Sequence, residues 1–325
     1  MRAVWYDESG DANVLQVGEM PDPNPGLGEV RVRVVISGIN PSDWKMRARA
    51  MRFPKIIPNQ DGSGVIDKVG EGVPESRIGE RVWLYESNFG SASGSAAEYT
   101  VQPAQHAVPL PEKASFADGA CLGVPAMTAH RAVFADGPVT GKTVLVTGGA
   151  GAVANYAIQM AKLGGARVFS TVSSDEKAHI ARDAGAQVTI NYRTEDVTAR
   201  INELTDDLGV DRIVEVEFPG NVEVSRKAIA DNGGIAVYGF GDGAADPPGV
   251  PFRFRRSNIN VRFVMVYTMP EDAKKAAVDD ITEWITNGQL THLHGPHFTL
   301  DQAAEASRAV ESHVVGTVML DVGTP

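Results

Sequence analysis

The sequence predicts an α/β protein in which a β-rich N-terminal portion is followed by a doubly wound parallel sheet. Two textures and one turn carry this reading. From Met1 to about Pro111, short alternating runs are separated by Gly and Pro, the pattern of a small barrel or sandwich. Beyond Phe116, apolar runs alternate with segments of helical spacing. Within that second region, Thr143-Val144-Leu145-Val146 enters the small-residue turn Thr147-Gly148-Gly149-Ala150-Gly151-Ala152-Val153-Ala154, which opens directly into a helix through Leu163.

In the first portion, Val30 to Ile36 alternates so that Val32 and Val34 share one face and the arginines the other, as a half-buried strand requires. Further strands are expected over Gly62–Gly70, Arg81–Tyr85 and Ala97–Val101. Asp118 to Phe134 reads as a helix broken at Pro125. Strands are then expected at Ala166–Thr171, Gln187–Tyr192, Arg212–Val216, Gly234–Tyr238, Asn260–Tyr267 and Thr317–Val322. The intervening helices are expected at Lys177–Ala184, Val197–Leu204, Val222–Ala230, Ala273–Thr286 and Leu300–Ser312.

At 325 residues the chain is long enough for two sizeable cores. No apolar run is long enough to span a bilayer, and the N-terminus lacks a signal-peptide core. One cysteine, Cys121, allows neither an intrachain disulfide nor a multi-cysteine metal site, so a cytoplasmic setting is expected. The net charge of -11 argues against nucleic acid or an anionic membrane as partner, because such binding draws its affinity from phosphate neutralisation.

The turn after Val146 sets the class of chemistry. Small residues let backbone N–H groups approach a pyrophosphate, and the partial positive charge of the helix end stabilises it. Gly148, Gly149, Ala150, Gly151, Ala152 and Val153 are the candidate contacts to a dinucleotide. Ala152 and Ala154 stand where the usual fingerprint would place glycine, a departure expected to appear as weaker cofactor binding.

Several motifs in register carry a family resemblance. Gly38-Ile39-Asn40-Pro41-Ser42-Asp43-Trp44-Lys45, Asp61-Gly62-Ser63-Gly64-Val65-Ile66, Gly79-Glu80-Arg81-Val82-Trp83, Ala97-Glu98-Tyr99 and Gly123-Val124-Pro125-Ala126-Met127-Thr128-Ala129 are among them. With the nucleotide turn, Asn191-Tyr192-Arg193 and Gly316-Thr317-Val318, the chain resembles the medium-chain dehydrogenase/reductase superfamily over essentially its full length. More narrowly it is similar to the zinc-free quinone oxidoreductase branch, which includes zeta-crystallin. The resemblance implies a GroES-like catalytic domain over 1–118 and a Rossmann nucleotide-binding domain over 119–262. Residues 263–325 would supply the last sheet strand and the return to the catalytic domain.

The places of the catalytic zinc ligands in the alcohol dehydrogenases of this superfamily fall, by local motif alignment, on Asn40, Gln60 and Val124. Two amides and an aliphatic side chain make a poor zinc site, so no metal is expected. Without a Lewis acid the favoured acceptors are already electron-poor: quinones or conjugated enones. His292, His294 and His297 have a metal-like spacing, but Gly295-Pro296 between them reads as an exposed strand-and-turn segment.

The strand expected before the next helix ends Thr171-Val172-Ser173-Ser174, with no acid at its tip to accept from a ribose hydroxyl. The resemblance gathers Ser173, Ser174, Lys177 and Tyr192 around the 2′-phosphate of NADPH, which is the expected cofactor. The alternative is a solvated Lys177 with Asp175 or Glu176 on the ribose. The resemblance also sets Asn40 and Thr128 beside the nicotinamide, with Asp43 orienting the Asn40 loop or capping the following helical turn. Gly239, Phe240 and Gly241 line the cofactor cleft, while Phe263 and Val264 either wall the nicotinamide pocket or belong to the core.

The basic stretch Lys45, Arg47, Arg49, Arg52 and Lys55 reads as a solvated helix face, or as steering for an anionic acceptor. The expected activity is NADPH-dependent hydride transfer to a quinone or enone by a homodimer paired through Asn260–Tyr267. The alternatives are an enoyl-thioester reductase and a non-catalytic, crystallin-like NADPH-binding protein. No tyrosine follows the Asn-Pro motif as a proton donor, which weakens the thioester alternative.

Overall fold

The structure, a computed structural model, describes residues 1–240 and 252–324. In chain order the strands and helices are β1 (Arg2–Trp5), β2 (Gln16–Glu19), β3 (Glu29–Ile39), α1 (Pro41–Arg47), β4 (Asp61–Val69), β5 (Arg81–Leu84), β6 (Tyr99–Pro103) and β7 (Ala107–Pro109). They continue with α2 (Phe116–Gly119), α3 (Met127–Phe134), β8 (Thr143–Val146), α4 (Ala152–Leu163), β9 (Arg167–Val172), α5 (Asp175–Ala184), β10 (Val188–Asn191), α6 (Val197–Leu204) and β11 (Val210–Glu215). The remainder are α7 (Phe218–Ala228), β12 (Ile229–Val237), α8 (Phe252–Arg256), β13 (Asn260–Phe263), α9 (Glu271–Thr286), β14 (His294–Thr299), α10 (Ala303–Glu311) and β15 (Thr317–Asp321). They form two compact units, Met1–Pro125 with Val278–Pro325, and Ala126–Ala277.

In the first unit a mixed sheet runs β14-β15-β3-β4-β5-β7, with β6 also paired to β3. The valines that alternate along β3 point inward as their spacing predicts: Val30 and Val32 pack with Ile66, Val82 and Leu84. On the opposite face Arg31 makes a two-pronged contact to Asp67 at 2.8 and 2.9 Å. The end of the chain closes over its beginning, because Leu300, Ala306, Val318 and Leu320 share a core with Val4, Ile39 and Ile57.

The second unit is a parallel sheet in the order β10-β9-β8-β11-β12-β13. Its strands read as near-continuous apolar runs because helices cover both faces; Leu145, Phe169, Ile190, Ile213 and Ile235 are fully buried. The strand order reverses between β8 and β11. Ligands of such sheets bind outside the carboxyl ends at that switch point.

The break expected at Pro125 takes the form of a π-helical turn at Leu122–Ala126. Pro125 brings no N–H, and the Val124 N–H is captured by the Asp61 carboxylate at 2.9 Å. Helix α7 stops at Ala228 rather than Ala230, where the Arg253 guanidinium takes the carbonyls of Arg226 and Ile229. The expected strand Asn260–Tyr267 ends at Phe263, since its neighbour β12 ends at Val237; Val266–Thr268 then forms a 3-10 turn.

Candidate active site

The Gly-rich turn is tightly folded: the Gly148, Gly149 and Gly151 N–H groups bond Thr171 Oγ1, the Thr171 carbonyl and the Gly148 carbonyl. Gly148 sits at φ 69°, and Gly149 lies so close to its surroundings that a Cβ there would be 2.1 Å from Ser170 Oγ. Helix α4 begins after Gly151 with no side-chain cap, which leaves its first N–H groups and the positive end of its dipole available. The turn is fixed from below by residues that periodicity does not single out. Thr147 Oγ1 donates to the buried Glu215 Oε1 at 3.0 Å and accepts from the Val216 N–H. Glu215 also accepts from the Glu217 N–H at 2.7 Å and from Asn221 Nδ2 at 2.8 Å. Burial raises the Glu215 pKa, and these donors pull against that rise. A carboxylate directly after the apolar pair Ile213-Val214 at the end of β11 was the available sequence signal, because such a group must be satisfied when buried.

At the carboxyl ends of β9 and β10 the structure brings together Ser173, Ser174, Lys177 and Tyr192. Ser174 caps α5 by accepting from the Lys177 N–H, and the Tyr192 N–H bonds the carbonyl of Val172. Tyr192 is about half exposed. On the other side of the switch point, Gly239 is held against the Val216 carbonyl, and Phe240 bridges Glu217 and stacks on Phe263 at 5.6 Å between centroids. Val264 is buried and continues the ladder through its N–H to Val237. Gly241 lies outside the described residues. Thr128 is buried in the first turn of α3.

Asn40 and Asp43 lie in the first unit at the N-terminus of α1. The Asn40 N–H donates to Asp43 Oδ2 at 2.7 Å, and its Nδ2 donates to Asp61 Oδ2 at 2.8 Å. Asp61 was not singled out from the sequence, although an acid opening a strand of small and apolar residues through Ile66 was visible there. Burial pushes the Asp43 carboxyl up to about 7; N–H bonds from Asn40 and Gln60 and the charge of Arg47 oppose the rise. Asp61 is raised for the same reason, opposed by the Asn40 amide and the Val124 N–H. Gln60 is fully buried, with its amide engaged by Asn88 and by Met46 Sδ. A cavity of about 440 Å3 in the first unit is lined by residues that include Phe53, Glu86, Ser87, Phe89 and His106.

These contacts decide how the positions of a zinc site are used. Asn40 and Gln60 present amides already engaged with protein partners, and Val124 presents an aliphatic side chain, so this donor set does not fit zinc. Among the described residues no His, Cys, Asp or Glu side chains are grouped to hold a metal ion. His294 instead pairs with Asp118 and His297 with Asp321.

The basic stretch divides. Arg47 is buried and bonds Ser307 and Glu311 on α10, so it is neither a solvated residue nor a steering charge. Lys55 lies over the Trp5 ring and Lys45 over Trp44. Burial pushes the Cys121 thiol up to about 12, which leaves it unreactive at neutral pH.

Residues 26–112 match the alcohol dehydrogenase GroES-like domain, and residues 152–283 match the zinc-binding dehydrogenase family. A mouse quinone oxidoreductase is 31% identical over 74% of this chain and 73% of its own. Two solved structures superimpose closely. One is an NAD-dependent alcohol dehydrogenase, 30% identical with a TM-score of 0.88, covering 99% of this chain and 100% of the other. The second is a mycobacterial protein complexed with NADPH, 27% identical with a TM-score of 0.86, covering 98% of this chain and 99% of the other. The chain is a member of the medium-chain dehydrogenase/reductase superfamily and belongs to its zinc-free quinone oxidoreductase branch, and is therefore an oxidoreductase. Among the described residues no helix is long and apolar enough to cross a membrane.

Proposed function

We propose that this chain is an NADPH-dependent, zinc-independent reductase that transfers a hydride to a quinone or an activated enone. The observation that carries the reading is the carboxyl edge of β8, β9 and β10. There an uncapped helix N-terminus stands beside Ser173, Ser174, Lys177 and Tyr192, and β9 ends without a carboxylate at its tip. A cation with hydroxyl donors suits a 2′-phosphate, which a carboxylate at the strand end would repel. The NADPH complex of a 27% identical protein supports the same choice, whereas an alcohol dehydrogenase of 30% identity is named as NAD-dependent.

Gly148, Gly149, Ala150, Gly151, Ala152 and Val153 would hold the pyrophosphate. Gly239, Phe240, Phe263, Val264 and Thr128 would hold the nicotinamide half. Bound NADPH supplies the hydride. Asn40, steadied by Asp43, holds a substrate or ribose oxygen. No Lewis acid is required of a quinone, which is already electron-poor and takes its protons from water. The outer edge of β13, the last strand of its sheet among the described residues, pairs with a second copy to make a homodimer; a monomer by light scattering at micromolar concentration overturns that part.

The test is a panel of a small quinone, a conjugated enone and an enoyl thioester, each with NADPH and with NADH, after metal analysis of the pure protein. Faster turnover of the quinone or enone with NADPH, in metal-free protein, is the expected result. A preference for NADH overturns the cofactor reading, and tight NADPH binding without turnover of any acceptor establishes the crystallin-like alternative.

A further inference from the structure

We propose that Asp61 is a positioning residue: its carboxylate pins Asn40 and Val124 by hydrogen bonding, two of the positions where the sequence comparison sets amide and aliphatic residues in place of zinc ligands. In doing so it fixes which end of the Asn40 carboxamide is offered to the cofactor or acceptor. Asp61 is fully buried at the start of β4. Its Oδ2 accepts from Asn40 Nδ2 at 2.8 Å, and the Val124 N–H lies 2.9 Å from both oxygens. The approach of the 123–124 segment is so close that a Cβ on Gly123 would stand 2.1 Å from Asp61 Oδ1. The Asp61 backbone is held in turn, because Ser95 Oγ donates to its carbonyl at 2.5 Å and lies 2.7 Å from Ser37 Oγ, which accepts from Asn59 Nδ2.

Asn40 Nδ2 donates to Asp61 Oδ2, so the Asn40 NH2 faces Asp61 and its Oδ1 is turned away. Asn40 therefore presents a carbonyl acceptor, suited to a hydroxyl donor such as a ribose O–H of the cofactor rather than to a substrate carbonyl. The inference rests on the reductase reading for its kinetic consequence but not for its geometry.

Asp61→Asn tests this with little change of shape. The new amide keeps its oxygen on the Val124 N–H and turns its NH2 toward Asn40, whose carboxamide must rotate to accept it. Thermal stability should change little, while kcat/KM with NADPH and a quinone should fall about tenfold or more. Adding Asn40→Asp restores an acceptor at position 40 and should recover much of the loss. Unchanged kcat/KM in Asp61→Asn, or a double variant no better than the single, overturns the proposal.

A second measurement is independent of turnover. The side-chain amide resonance of Asn40, identified by its loss in Asn40→Asp, should exchange slowly with solvent in the native protein; rapid exchange overturns the clamp. If the native protein reduces no quinone, the reductase reading fails while this resonance still decides the role of Asp61.

Discussion

Thr147 Oγ1 donates to Glu215 Oε1 at 3.0 Å and so ties the end of β8 to the end of β11, directly beneath the Gly-rich turn. The bond joins the two strands that flank the switch point of the sheet. Glu215 is therefore part of what shapes the turn, although it is too deeply buried to meet a ligand itself.

Removing that carboxylate should loosen both the fold and the turn. Glu215→Ala leaves donors of Thr147, Glu217 and Asn221 without their acceptor, which should cost about 2–4 kcal/mol by denaturant unfolding. NADPH affinity measured by fluorescence titration should weaken in the same variant under conditions where it remains folded. Native affinity would show that the turn is fixed by its own backbone.

Two glycines of the turn should separate folding from binding. Gly149→Ala drives a Cβ into Ser170 Oγ and to 3.0 Å from Ala181 and Ile158, so it should destabilise by about 1–3 kcal/mol. A Cβ at Gly151 meets only the Gly148 carbonyl, at 3.3 Å, and its φ of -77° suits alanine. Gly151→Ala should keep the melting temperature and weaken cofactor binding, as read by thermal unfolding and titration together.

Cofactor choice should follow the β9–β10 edge. Lys177→Ala should raise the KM for NADPH about tenfold and leave that for NADH nearly unchanged, since only the former carries the phosphate. Tyr192→Phe should act in the same direction with a smaller effect. Equal losses with both cofactors would assign Lys177 a structural task in α5.

Asp43 should make stability depend on pH in a definite direction. Its folded pKa of about 7 stands above the ordinary carboxylate value, so between roughly pH 4 and 7 the native state holds a proton that the unfolded chain has released. This group's contribution therefore becomes less favourable as pH rises through that window and is constant above it. Asp43→Asn removes the titration and retains an acceptor for the Asn40 N–H. The melting temperature of the variant relative to the native protein should rise from pH 5 to pH 8; a pH-independent difference would show that Asp43 does not titrate in that window.

The parallel sheet was legible because strand and helix announce themselves locally, through apolar runs and the 3.6-residue period. The Gly-rich turn was legible for the same reason, as a contiguous string between one strand and one helix. Elements whose ends depend on distant groups were less so. The helix break at Pro125 was legible, but not that Asp61, 63 positions earlier, takes the Val124 N–H there. Arg47 looked like part of a basic surface until α10 brought Ser307 and Glu311 to it, 260 and 264 positions away.

The sequence by itself determined the two textures of the chain, the dinucleotide turn, and the replacement of metal ligands by Asn40, Gln60 and Val124. These depend on which residues are present and on their neighbours along the chain. Only the tertiary structure decided that Asp61 joins Asn40 to Val124 and that Glu215 joins Thr147 to Asn221. A buried carboxylate must find its donors wherever packing brings them, and packing pairs groups that spacing along the chain does not link.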